Sequence, residues 1–296
     1  MLRVVEPDVV HVLTPPASHV PLATAALGAG AHVVVEKPLA ATERDCVEIL
    51  HVADQARRKL LEVQNYRFND PTQEIVDRIL DGRLGELVEV EVRLALDFTA
   101  DPRFSSALLD NPVAHLKGGA IRDFLPHAAG LVLYLANLAN SSEQPATEVA
   151  ARWWNRRGLS TLAYDEMDAV MAIGAVAGRV RISSLTKPEG FRVIARGSGG
   201  SIEVDLFQPN FVAERARDGG ALSPLTDQVR AGAQLIGHAA SGLRNKVLQR
   251  TPYHGLDRLL SEFYTSIRTG APSPISPRSI IDTAFLVDSI SAEAGS

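Results

Sequence analysis

A single cysteine, Cys46, among 296 residues excludes an internal disulfide framework, so stability must come from packed cores and a reducing, cytoplasmic setting is expected. Charge of one sign is not in excess either: 30 basic against 35 acidic residues leave a net of −5. No block of like charge occurs, which argues against a nucleic-acid surface. No apolar run approaches the roughly 20 residues that a spanning helix needs, and the N-terminus lacks the apolar core and cleavage site of a secretory signal. A soluble chain without membrane or nucleic-acid partners is expected. Its length suffices for two domains, each burying its own core.

What is present is organised around Val33-Val34-Val35-Glu36-Lys37-Pro38. Three β-branched residues favour a buried strand, and Pro38 stops sheet pairing by removing a donor and biasing Lys37 away from helical geometry. A lysine is thereby delivered to the carboxyl end of a strand, where open α/β sheets bind ligands. Taken alone, such a tripeptide is more readily a charged exit turn.

In chain order, Val9 to Leu13 predicts a strand ended by Pro15-Pro16. A helix follows over 18–29 with Val20, Ala23, Ala26 and Leu27 on one side, and Gly28 and Gly30 stop it. After the valine strand, Thr42 is placed to cap a helix with Asp45 as its capping-box partner and Val47, Leu50 and Val52 as its apolar positions. Leu60 to Val63 reads as a third strand, so residues 1–66 spell β-α-β-α-β, half of a doubly wound, Rossmann-like parallel sheet. Asp70-Pro71 opens a helix running to Gly82. Beyond it, Val88 to Leu96 alternates apolar and charged residues, and further strands are expected at 147–155, 167–176, 178–186, 191–196 and 201–207. Their short connections favour a large, mostly antiparallel sheet. Residues 100–117 read as a loop. Helices are expected at 225–249, 255–269 and 277–292, the last capped by Ser276 with Pro277 inside it. Residues 67–296 thus form an α+β unit.

Gly118-Gly119 precedes a helical stretch in which Asp123 and His127 are four apart, hence on one face. A carboxylate beside an imidazole raises its pKa and orients it, as a general base needs. An incidental structural pair fits the same spacing. Pro126 is expected to kink the helix near His127.

The combination of strand, Thr14-Pro15 turn, helix, strand and Glu36-Lys37-Pro38, continued by Asn65-Tyr66-Arg67-Phe68, by Gly82 to Gly85 and by Gly118 to His127, resembles the Gfo/Idh/MocA family of nicotinamide-dependent oxidoreductases over most of the chain. The resemblance implies a dinucleotide-binding part over 1–66, a substrate and oligomerisation part over 67–296, NAD or NADP as cofactor, and a homo-oligomer formed through the open sheet. It implies catalytic roles for Lys37, Asp123 and His127, with lysine and histidine facing each other across the nicotinamide and Asp123 orienting the histidine. Hydride would pass between the cofactor and a secondary alcohol or ketone of a sugar, cyclitol or related polyol. Thr14, Pro15, His19, Glu36, Lys37 and Asn65 are the candidate cofactor contacts, although His19 suits helix stabilisation equally. Arg67, His115, Lys37 and His127 are the candidate substrate contacts; Arg67 pairs either with a substrate carboxylate or with Asp70. Phe68, Trp153 and Trp154 are assigned to packing.

The sequence departs from that family in two respects: Phe-Leu-Pro stands between Asp123 and His127 where the family more often has a small residue, which bears on substrate fit near Leu125 and Pro126, and the phosphate turn is missing. No Gly-x-Gly-x-x-Gly turn, whose amides hold a pyrophosphate, occurs in it. Roughly 50 to 70 residues carrying the first strand and that turn are expected to be absent, through a misassigned start, a truncation or a real loss of cofactor binding. Competing readings are a non-catalytic scaffold or sugar-binding protein, an NAD-dependent glycosidase on the same fold, and a metal hydrolase built on His115, Asp123 and His127. The last lacks a His-Glu-x-x-His motif or cysteine pair, and no metal is expected.

Overall fold

The computed structural model describes residues 2–97, 117–158, 162–207, 210–215 and 254–295, with isolated positions between 229 and 237. After one helical turn at Leu2–Val5, strands β1 (Val9–Val12), β2 (His32–Val35) and β3 (Leu60–Glu62) form a three-stranded parallel sheet in the order β1-β2-β3. Val33, Val34 and Val35 point to alternate faces yet all have 0 % exposure, so both faces of β2 are covered, as parallel sheets require. Helices α1 (His19–Gly28) and α2 (Glu43–Gln55) connect the strands.

The Thr42 cap forms as expected, its hydroxyl accepting from Asp45 N at 3.2 Å. The buried side of α2 differs from expectation. It consists of Cys46, Ile49, Leu50 and Ala53, while Val47 faces solvent and Val52 is half-buried. This set has true helical spacing, and Cys46 behaves as a small hydrophobe whose thiol pKa is raised by burial.

Helix α3 (Asp70–Leu80) leads to β4 (Leu87–Asp97), and α4 (Gly119–Asn137) precedes β5 (Ala146–Trp154), β6 (Glu166–Ile173), β7 (Val176–Ser183), β8 (Leu185–Gly197), β9 (Gly200–Asp205) and β10 (Asn210–Arg215). These strands make a seven-stranded sheet in the order β10-β9-β8-β4-β7-β6-β5. Only the β4–β7 pair is parallel. Strand β10, which follows Pro209 and carries Glu214 and Arg215, was not anticipated by the alternation pattern. The expected loop at 100–117, except Lys117, and most of the expected helix at 225–249 lie outside the described residues. The final helices, α5 (His254–Thr269) and α6 (Pro277–Ala292), match expectation, with Ser276 Oγ accepting from Ser279 N at 3.0 Å.

One sheet face buries Val90, Val92, Val180, Met167 and Val193 in a core with Leu125 and Leu131 of α4 and Ile290 of α6. The other carries charge. Glu91, only 2 % exposed, receives two bonds from Arg93 at 2.6 and 2.8 Å and one from Arg196 at 3.4 Å. Burial alone would raise its pKa, but the bonds and charges of these arginines and of Arg179 outweigh it and hold the carboxyl below the usual range.

The two sheets do not have separate sequence-local cores. Leu259 and Phe263 of α5 and Ile280 of α6 pack into the cluster around β1 to β3, whereas Leu286, Val287 and Ile290 of α6 join the other. Asp288 reinforces this junction, accepting from Arg122 Nη2 at 2.6 Å and from Glu43 N, in the first turn of α2, at 2.9 Å. Arg122 also donates to Ala41 O at 3.0 Å. Removing this carboxylate strips an amide of its cap and a guanidinium of its counter-charge. Asp288→Ala is therefore expected to cost about 1–3 kcal/mol in urea denaturation, and Asp288→Asn less, since the amide oxygen still accepts.

Candidate active site

The site is assembled at the carboxyl ends of the parallel strands. Pairing of β1 and β2 ends with Glu36 N donating to Val12 O at 3.0 Å. Thr14 and Pro15 then turn outward and are exposed, while Glu36 and Asn65 are half-buried. His19 corrects its sequence reading. It has 0 % exposure, and its ring nitrogens lie 2.8 Å from Pro38 O and 2.7 Å from Thr14 O. Both edges of the ring are occupied by backbone, so His19 ties the turn after β1 to the turn after β2 instead of presenting a nitrogen to a ligand.

Lys37 reaches across from the end of β2 to α4. Its ammonium donates to Asp123 O at 2.7 Å and to Asp123 Oδ1 at 3.0 Å, and lies 5.9 Å from the Phe124 ring centre. The side chains of Lys37 and Asp123 remain 17 % and 27 % exposed, so the pair is accessible to a ligand. Helix α4 can begin here because Gly118 and Gly119 adopt φ of 98° and 57°, which disfavours residues with a Cβ. A Cβ at Gly118 would also stand 3.0 Å from Trp153. The helix continues through Pro126 to Asn137.

Asp123 and His127 share a face of α4, but the carboxylate is engaged by Lys37. His127 is consequently not raised. Burial, and secondly the charge of Lys37, push it well below the ordinary histidine range. The imidazole is neutral near pH 7 and keeps a lone pair for accepting a proton. Some of the residue's surface stays open, and its ring meets Tyr66 edge-to-face, with centroids 4.8 Å apart at 89°.

Beneath this lies a polar layer that sequence reasoning did not find. Glu62, 4 % exposed, accepts from Leu39 N at 2.8 Å and from Gln64 Nε2, anchoring the segment that follows Lys37. Burial pushes its pKa up against these bonds and the charges of Arg67 and Lys37. The available signal was an acid in the otherwise apolar run Leu60-Leu61-Glu62-Val63. Arg67 also corrects its reading. It is 4 % exposed, lies 5.1 Å from the Tyr134 ring centre, and has its pKa lowered to about 10 by burial. Its Nε and Nη2 and Gln64 Oε1 are buried without hydrogen-bond partners among the described residues. Pointing inward beside Gly130, it is not placed to meet a substrate.

His115 lies outside the described residues. Among the described residues no group of three or more His, Cys, Asp or Glu is arranged to hold a metal. No helix among them is long and apolar enough to cross a membrane. Next to the Lys37–Asp123 pair runs a mostly apolar crevice lined by Pro16, Pro38, Leu39, Pro126 and Val287.

Residues 1–64 match the profile of the oxidoreductase family with an NAD-binding Rossmann fold. Over 129 residues the chain is 31% identical to 1-carboxy-3-chloro-3,4-dihydroxycyclo hexa-1,5-diene dehydrogenase of Comamonas testosteroni, a match covering 44% of this chain and 32% of that protein. Over 106 residues it is 38% identical to inositol 2-dehydrogenase 1 of Saccharopolyspora erythraea, covering 34% of this chain and 32% of that one. The matched segments thus span 32% of the length of each of these two curated relatives. In three dimensions, 97% of the chain aligns with 77% of the WlbA dehydrogenase from Bordetella pertussis, solved in complex with NADH and UDP-GlcNAcA, at a TM-score of 0.72 and 19% identity. At that identity the likeness is one of fold. The family match thus covers the segment of the three parallel strands, residues 1–64, and over the rest of the chain the likeness to solved structures is one of fold.

Proposed function

We propose that the protein transfers hydride between NAD(P) and a secondary alcohol or ketone of a sugar, cyclitol or related polyol. The observation that carries this reading is that the Lys37 ammonium, arriving from the exit of β2, meets Asp123 on α4 at 3.0 Å, one helical turn before His127. The three strand ends and the accessible Lys37 suit the nicotinamide end of such a cofactor, and Thr14, Pro15, Glu36 and Asn65 are its proposed rim. Residues 1–66, closed from behind by α5, are the proposed nucleotide-binding part. A bound nicotinamide would take or give the hydride at its C4.

The chain's own residues supply the rest. An ammonium has three N–H donors; Asp123 takes two of them, which fixes Lys37 and leaves the third for the substrate oxygen. There it stabilises the charge that develops as the hydroxyl proton departs. His127, neutral at pH 7, takes that proton. Asp123 acts on the lysine in this scheme, as its positioning partner, and not on the histidine. The apolar crevice beside the pair limits water near the developing charge.

Oligomerisation through the outer face of the seven-stranded sheet is also proposed. That face is broad and its charges are largely paired among themselves, as in Arg179–Asp168 at 2.6 Å and Arg196–Glu89 at 2.8 Å, so covering it strands few ions. Val170, on this face, is 49 % exposed.

Three measurements test these readings. With a panel of sugars and polyols, assayed by nicotinamide absorbance, Lys37→Ala and His127→Ala are each expected to lose about two to four orders of magnitude in turnover; full retention in either variant overturns the assignment. The acid limb of kcat/KM should fall below 6.5, because a base with a depressed pKa stays unprotonated until the pH drops past that value. A limb at or above 6.5 contradicts the role given to His127. Light scattering should find a dimer or larger species that Val170→Glu weakens, and a monomer at micromolar concentration sinks the interface.

A further inference from the structure

We propose that Tyr66 is the positioning residue for the His127 imidazole, taking the task that spacing along α4 gives to Asp123. The inference rests on the reading of His127 as the proton acceptor and asks what holds that ring in place. A base must present one nitrogen to the reacting hydroxyl, so its ring needs a fixed plane. In the structure the Asp123 carboxylate is drawn to Lys37 at 3.0 Å. Among the described residues, the charge that acts on His127 is that of Lys37, which comes from the exit of β2.

The Tyr66 ring meets the imidazole at 4.8 Å and 89°. This is the edge-to-face geometry that aromatic quadrupoles favour, and it resists rotation of either ring. Tyr66 is itself restrained twice. Its ring packs on Phe191 of β8 at 4.9 Å and 78°, and Phe191 is 1 % exposed in the core of the large sheet. Its carbonyl accepts from the fully buried Thr72 at 2.7 Å. A rigid path therefore runs from the sheet through Phe191 and Tyr66 to His127. The same ring shields the imidazole from water, which accounts for part of the burial felt by the histidine.

The test reads the ring itself and needs no turnover. Histidine side chains are labelled with 15N, the His127 resonances are assigned through His127→Gln, and their pH titration is followed in the wild type, Tyr66→Phe and Tyr66→Leu. Tyr66→Phe keeps the aromatic edge and should titrate as the wild type does. Tyr66→Leu admits water and frees the ring, so its midpoint should rise by about one pH unit toward the ordinary histidine value, with its nitrogen shifts averaging between tautomers. An unmoved midpoint and unchanged shifts in Tyr66→Leu overturn the proposal. If that variant does not fold, as judged by circular dichroism, Tyr66→Met fills the space with a flexible side chain and is read by the same criteria. Failure to find dehydrogenase activity would overturn the reaction assigned above while leaving this result intact.

Discussion

The contact on which the rest of the structure depends is the one between the Lys37 ammonium and Asp123. It joins the carboxyl end of a strand in the small parallel sheet to the first turns of the helix that covers the large sheet, across 86 positions of sequence. Each partner is delivered by a separate local device: a valine strand cut off by proline on one side, a pair of glycines with positive φ on the other. Once made, the contact determines the state of its neighbours. It withdraws the carboxylate from His127, and the lysine charge then adds to burial in keeping that imidazole neutral.

Beneath the contact is a polar layer whose members face backbone or one another. His19 lies between two carbonyls, and Glu62 accepts an amide from the segment after Lys37. Burying such groups is costly unless hydrogen bonds replace those lost to water, so their presence ties the loops to one geometry. Loops near a sheet end would otherwise be its most mobile parts. Arg67 departs from this pattern, since two of its nitrogens are buried without a partner among the described residues. Its charge nevertheless favours an ionised Glu62.

Much of this was legible in the residues. The order of strands and helices, the caps at Thr42 and Ser276, the alternation of β4 and the prominence of Lys37 all reflect chemistry acting within a few positions along the chain. The errors have a common character. His19 and Arg67 read as ligand contacts because polar residues after strand ends usually face outward, yet both turn inward where carbonyls or a tyrosine ring receive them. Val47 and Val52 read as apolar core positions in the sequence, but a helix buries whichever stripe its neighbours meet, and here that stripe runs through Cys46, Ile49, Leu50 and Ala53. Strand β10 has little alternation of its own and forms by pairing with β9.

The sequence by itself determined which elements form and which chemically capable side chains stand at their ends, because propensity, capping and periodicity are local. Only the tertiary structure decided the pairing: that Asp123 serves Lys37, that Tyr66 lies against His127, and that α5 near the C-terminus closes the N-terminal core. A carboxylate on α4 has an imidazole one turn away and an ammonium from another element at similar reach. Which one it binds depends on where the second element is packed and how much water remains between them, and neither quantity is written in the spacing of residues.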